Sequence, residues 1–204
     1  MVERTRLRTA SHPPRFDTRP LRTNDWALVE TLFGGNGACG GCWCMWWRVP
    51  MGGKTWDAAK GAPNRRAFRK LVESGKASRV LAFCGEEAVG WCAIGPRADF
   101  PRIERSKALA REWDEDAWSL NCLFVPAHWR GRGVATALVA AAIDYARHEG
   151  AREIEAYPQA VRSGERQAGA FIWTGVPGLF TAHGFKPLRR HERGRGLYLL
   201  DLRR

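Results

Sequence analysis

The chain has 204 residues, 45% of them hydrophobic, with 33 Lys and Arg against 21 Asp and Glu and a formal net charge of +12. That length and apolar content suit one folded domain with a real core and argue against a disordered chain. No stretch reaches the roughly 18 consecutive apolar residues of a membrane helix, and no apolar segment follows the charged start Met1-Val2-Glu3-Arg4-Thr5-Arg6, so neither a membrane span nor a signal peptide is expected.

Residues 1–15 are basic and proline-bearing and read as a loose arm ahead of a domain over 16–204. Phe16 to Leu21 reads as a first strand. Thr23-Asn24-Asp25 then offers a helix N-cap, followed by Trp26, Leu28, Val29 and Leu32 on one face and stopped by Gly34-Gly35-Asn36-Gly37. An irregular segment is expected through Gly61. Asn64 to Ser74 reads as a second helix, with Phe68, Leu71 and Val72 as its apolar face and Gly75 as its stop.

Arg79 to Cys84 and Ala88 to Ile94 are apolar runs around Gly85-Glu86-Glu87, the spacing of a β-hairpin. Pro96 to Asp114 is a polar connection, with a short helix expected at Ser106 to Glu112. Ala117 to Val125 reads as a strand, Val134 to His148 as a helix stopped by Gly150, and Arg152 to Tyr157 as a strand in which Ile154 and Ala156 alternate with charged residues. Thr174 to His183 reads as a helix with Pro177 in its first turn. Phe185 to Leu188 and Leu197 to Leu202 are the last strands. The order predicts a single α/β (α+β) domain with a mixed, mostly antiparallel sheet flanked by helices, and a right-handed strand–helix–strand unit over 117–157.

The basic residues are spread out, with arginine clusters at both ends (Arg4, Arg6 and Arg8; Arg189, Arg190, Arg193, Arg195, Arg203 and Arg204). Such a charge favours anionic partners. No basic helix, zinc finger or RNA-binding signature accompanies it, so nucleic acid ranks last among the partners. Six cysteines stand at 39, 42, 44, 84, 92 and 122. Without a secretion signal they read as reduced thiols of a cytoplasmic protein, with Cys84, Cys92 and Cys122 as small core residues.

The densest signal is Leu123-Phe124-Val125-Pro126, then Arg130-Gly131-Arg132-Gly133-Val134-Ala135, then the apolar run Thr136 to Ile143. An apolar strand runs into a glycine-rich loop from which a helix starts at once. Such a loop aims several backbone N–H groups at one spot, on the positive end of the helix dipole, and two arginines flank it. The third glycine of a dinucleotide fingerprint is missing, and so is the Gly-Lys-Ser/Thr of a P-loop.

Arg-x-x-Gly-x-Ala after a strand ending in Val resembles the pyrophosphate loop of the GCN5-related N-acetyltransferases (GNAT family). The order of elements over residues 16–202 resembles that fold as well. The resemblance implies an acetyl-CoA-dependent N-acetyltransferase with acetyl-CoA as co-substrate. It assigns pantetheine to the backbone of Leu123, Phe124 and Val125. Pyrophosphate falls to Arg130, Gly131, Arg132, Gly133, Val134 and Ala135, with the Thr136 hydroxyl in reach. An N–H near Phe124 or Val125 would polarise the thioester carbonyl. Val134 serves through its backbone, since its side chain reads as helix packing.

Attack by an amine needs a place for its proton and a proton for the leaving thiolate. Many relatives supply the acid from Tyr-x-x-x-Gly-Phe. Here the segment is Phe180-Thr181-Ala182-His183-Gly184-Phe185, so that tyrosine is missing. Tyr157 and Tyr198 are the alternative phenols, with Cys122 or the substrate itself also open. Ser119 and Asn121, on the strand before the loop, are the candidates to hold a water relay. The expected acceptor is a small-molecule primary amine attacking the thioester directly. A protein or peptide amine, and an acyl-CoA-binding module without turnover, stay open, as does a homodimer.

One segment stands apart: Cys39-Gly-Gly-Cys42-Trp43-Cys44-Met45-Trp46-Trp47-Arg48. Three cysteines within six residues suit zinc, but no second Cys-x-x-Cys pair supplies a fourth ligand, so no metal is expected. The other readings are a buried aromatic loop and a wall of the acceptor pocket. In the second, Trp43, Trp46 and Trp47 would stack on a flat or cationic substrate.

Overall fold

The structure, a computed structural model, describes residues 15–49, 52–160, 173–191 and 194–203. The basic arm expected over 1–15 therefore lies outside the described residues, apart from Arg15.

Seven strands form one sheet in the order β1-β2-β3-β4-β5-β7-β6. They are β1 (Asp17–Pro20), β2 (Arg79–Cys84), β3 (Glu87–Pro96), β4 (Ala117–Phe124), β5 (Glu153–Ala156), β6 (Lys186–Arg189) and β7 (Leu197–Asp201). Every neighbouring pair is antiparallel except β4 and β5, which run parallel and are joined through a long helix. In chain order the helices are α1 (Trp26–Phe33), α2 (Lys54–Ala59), α3 (Ala62–Glu73), α4 (Pro101–Glu104), α5 (Val134–His148) and α6 (Pro177–Thr181). None of the described helices is long and apolar enough to cross a membrane.

Helix α5 packs on one face of the sheet through Val134, Leu138, Val139 and Ala142, against Val80, Val89, Ile94 and Leu120. On the opposite face, Trp26, Val29 and Phe33 of α1 and Phe68 and Val72 of α3 close over Leu81, Trp91 and Ala93. A smaller cluster joins Trp47, Phe100, Ile103, Leu109, Tyr157 and Leu197. Gly90 in β3 lets α5 come close: a Cβ there would lie 2.6 Å from Val134 Cγ1 and 3.0 Å from Leu138 Cδ1.

Two irregularities shape the middle of the sheet. Ala93 pairs with Cys122 but Ile94 with Leu120, so Asn121 is an extra residue on β4, a bulge that bends the strand. The β4–β5 ladder stops at Leu120 and Ala156, whereas β4 continues along β3 to Phe124. Beyond the bulge the two parallel strands therefore part.

The structure corrects four sequence expectations. The hairpin turn is two residues, Gly85 and Glu86, because Glu87 already pairs with Cys84. The segment expected to be irregular through Gly61 holds α2, anchored by buried Trp56. No helix forms at 106–112; a 3-10 turn at Arg97–Asp99 and α4 take its place. Phe100 and Ile103 are the apolar anchors there, and Pro101 opens α4, while Arg111 reaches away to Glu153 and Glu155. Helix α6 is shorter than 174–183, with Pro177 in its first turn as expected.

Candidate active site

The loop between β4 and α5 sits where the parallel strands part. Gly131 and Gly133 have φ of 72° and 92°, in the left-handed region that glycine occupies at little cost. A Cβ on either would meet nothing within 4 Å, so conformation rather than space calls for glycine. Gly133 is the N-cap of α5, which leaves the first N–H groups of a 15-residue helix directed at the loop.

A cavity of about 470 Å³ lies before this loop. Leu123, Phe124, Val125, Arg130, Gly131, Gly133, Val134, Ala135 and Thr136 line it, with Trp173, Gly175, Val176 and Leu179 opposite. Every residue nominated for the cofactor is on that wall except Arg132, whose guanidinium lies 5.1 Å from the Trp129 ring centroid. Arg130 donates from Nε to the Val125 carbonyl at 3.0 Å.

A second cavity, of about 460 Å³, shares Ala38, Cys39, Leu123, Phe124 and Trp173 with the first. The two thus meet along the end of β4. Between them the Leu123 N–H donates to the Trp173 carbonyl at 2.6 Å. Alternation along an extended strand then turns the Val125 N–H to that same side and the Phe124 N–H toward β3.

The remaining walls of the second cavity are Cys42, Cys44 and Cys122, Trp46, Trp56, Lys60 and Arg195. Cys42 and Cys44 come from a strained loop, and Cys122 from β4. Ala38, Trp43 and Cys44 are the non-glycine residues with positive φ among the described residues, and Gly37, Gly40 and Gly41 share that conformation. Cys42 donates to the Gly37 carbonyl at 3.6 Å. A hydrogen bond from the Cys44 thiol, with backbone N–H groups of the loop, outweighs burial and brings the Cys42 pKa down to about 6. Burial drives Cys44 and Cys92 the other way. All six cysteines are free thiols. Among the described residues no group of three or more His, Cys, Asp or Glu is arranged to hold a metal.

Ser119, Asn121 and Tyr157 do come together, but behind the cavities. Asn121 Nδ2 donates to Ser119 Oγ at 3.2 Å, Ser119 donates to the Tyr157 phenol oxygen at 3.1 Å, and Tyr157 donates to Glu155 at 2.6 Å. Glu155 also accepts from Arg97 at 2.7 Å and Arg111 at 2.5 Å. All three nominated residues are buried, and none lines either cavity. Burial first, then the Glu155 charge, raises the Tyr157 pKa far above the ordinary phenol value, so its proton stays put. Sequence reading missed Arg97 and Glu155 because nothing local marks a pair 58 residues apart. A central strand with a parallel neighbour is covered on both faces, and all four β5 residues are buried.

The tryptophans divide three ways. Trp43 is a correction: it is 4% exposed and stacks on Trp26 in the core, so it is not part of the pocket wall. Trp47 is also buried, and its Nε1 donates to the Asn121 carbonyl at 2.8 Å, which steadies the bulge. Trp46 alone of the three lines the second cavity, with its ring edge against Trp56. Trp56, Trp173 and Arg195 join that wall from distant parts of the chain, without a local signal. Phe180 is fully buried, edge-on to Phe185 at 5.3 Å.

The acetyltransferase (GNAT) family matches residues 44–171. No curated protein matches the chain. Among solved structures, a GCN5-related N-acetyltransferase from Kribbella flavida is 18% identical, with 94% of this chain and 100% of that one covered at a TM-score of 0.54. YncA from Salmonella typhimurium, solved with acetyl-CoA, is 14% identical over 92% and 94% of the two chains, at a TM-score of 0.54. PaiA N-acetyltransferase from Thermoplasma acidophilum, in complex with coenzyme A, is 10% identical over 92% and 99%, at a TM-score of 0.52. At such identities the likeness is one of fold.

Proposed function

We propose, for a chain that belongs to the GNAT acetyltransferase family, transfer of the acetyl group of acetyl-CoA to the primary amine of a small molecule by direct attack on the thioester. The observation that carries this reading is the first cavity, with nine of the ten residues nominated for the cofactor on its wall.

The residues present suit a pyrophosphate. The first N–H groups of α5 lie at its positive end beside the glycine loop, and Arg130 and Arg132 add charge from an exposed position. Acetyl-CoA when bound supplies the activated acetyl thioester. The backbone of Leu123 to Val125 would align its arm in the wedge. The Val125 N–H, on the wedge side, would stabilise the developing oxyanion.

The acceptor reading rests on the second cavity. Its volume of about 460 Å³ and its walls of Trp46, Trp56 and Trp173 suit a small amine better than a protein surface. Cys42, whose pKa is brought down to about 6, is the group on that wall suited to receive the amine proton once its own S–H has ionised. The buried Ser119–Tyr157–Glu155 chain holds β4 in position instead of exchanging protons with substrate. Alignment of two reactants across one strand end supplies much of the rate.

The test is calorimetric titration of acetyl-CoA, with reductant, into the wild type and a Gly133→Asp variant, followed by a thiol-release assay with small amines and with peptides. Binding lost in the variant and turnover with small amines support the reading. Turnover confined to peptides moves the acceptor to a protein. A folded wild type that binds no acetyl-CoA sinks the transfer altogether.

A further inference from the structure

The second cavity is cationic at one end, where Arg195 stands. Arg195 lines it, and also lines a cleft of about 470 Å³ that continues outward past Trp46, Trp47, Arg102, Arg105 and Ser106. No Asp or Glu belongs to the described lining of either space. Lys60, the other cation of the chamber, is paired with Asp57.

Arg195 has no such partner among the described residues. Its Nε is buried without a hydrogen-bond partner. Its guanidinium is stacked instead on aromatic rings, 4.7 Å from the Trp173 centroid and 5.6 Å from that of Trp47. Rings fix the plane of a guanidinium and leave its N–H edge open. A cation held this way costs stability unless an anion completes it, because burial penalises the charge. Burial does lower the Arg195 pKa, and the group stays charged at neutral pH because guanidinium starts so high. The planar fork of N–H groups matches a carboxylate or a phosphate oxygen pair.

We infer that Arg195 is the seat of an anionic group on the acceptor, so that the substrate is an amine bearing a carboxylate or a phosphate monoester. This deepens the acceptor reading above and rests on it. The aromatic walls favour a flat body between the two charges. The amine end points to the Leu123–Phe124 end of the chamber, where the two cavities meet.

The experiment reads binding apart from turnover. Benzoate, phenyl phosphate and benzamide are titrated into the full chain by tryptophan fluorescence, using the rings on Arg195 as reporters. The same titrations are run on Arg195→Met, which keeps an apolar stem against those rings, and on Arg195→Lys. The expected result is an anion bound at least tenfold more tightly than benzamide by the wild type, the preference lost in Arg195→Met and partly restored in Arg195→Lys. Whichever of benzoate and phenyl phosphate binds more tightly identifies the anion. Equal affinity for benzoate, phenyl phosphate and benzamide, or a preference that Arg195→Met leaves intact, overturns the inference. An acetyl-CoA titration on the same samples separates the two readings. Anion binding without acetyl-CoA binding refutes the transfer reaction and with it the acceptor role. Acetyl-CoA binding without anion preference refutes the Arg195 seat alone.

Discussion

Arg130 donates from Nε to the Val125 carbonyl at 3.0 Å, so the first side chain of the glycine loop ties down the end of β4. The same residue borders the first cavity, whereas Arg132 does not line it and leans on Trp129, itself a wall residue. Replacing Arg130 by Ala removes both the tether and a charge near the pyrophosphate. A charge-assisted hydrogen bond is worth about 1.5 kcal/mol or more, roughly tenfold in affinity. Calorimetry should therefore show acetyl-CoA binding about tenfold weaker in Arg130→Ala, and a smaller loss in Arg132→Ala. Equal losses would mean that the tether is irrelevant.

Gly133→Asp separates binding from folding. The new Cβ meets nothing within 4 Å, so the fold should survive, with some strain from a φ of 92°. A carboxylate beside the pyrophosphate adds like-charge repulsion of several kcal/mol, which is more than a hundredfold in affinity. Thermal unfolding without ligand should shift by only a few degrees, while acetyl-CoA binding disappears.

Tyr157→Phe tests the claim that this phenol is structural. The substitution leaves Glu155 with one donor fewer, so denaturant unfolding should report a loss of about 1–3 kcal/mol. The turnover number should stay within a few fold. A fall beyond about a hundredfold in a folded variant would restore Tyr157 as the proton donor.

The Arg97–Glu155 pair is the most buried ion pair of the described chain, with side chains 1% and 0% exposed. Taking away Arg97 leaves Glu155 held by Arg111 and Tyr157 but short of one charged donor, at a cost of about 1.5–3 kcal/mol. Arg97→Met should lower the denaturation midpoint strongly, and replacing Glu155 as well should recover part of the loss. Additive losses would show that the two charges act independently.

Cys42 should stand out from the other cysteines in alkylation. With its pKa near 6, its rate with iodoacetamide should rise through that pH and level off by neutrality. Burial raises Cys92, which should stay unmodified in the folded protein. Peptide mapping after brief labelling at several pH values checks both. Cys42→Ser should lower turnover about tenfold or more at neutral pH if the thiolate takes the amine proton, with acetyl-CoA binding unchanged.

Local sequence was enough to mark the candidate cofactor loop. A strand, a loop needing two left-handed residues and a helix N-terminus are contiguous in the chain, so their chemistry is written in one stretch from Leu123 to Thr136. The order of the strands and helices was legible for the same reason, since hydrophobic period and glycine stops act over a few residues. Tertiary structure alone decided the acceptor half. Cys42, Trp56, Cys122, Trp173 and Arg195 meet there from five separate parts of the chain. It also decided which of two tryptophans three positions apart is core and which is wall. Trp43 turned inward because α1 and α3 offered it a stacked partner, while Trp46 stayed at the cavity. The alternation of charged and apolar residues in β5 does not show that the sheet covers both its faces. Burial on both faces then left the Arg97–Glu155 pair as the way to keep those charges inside.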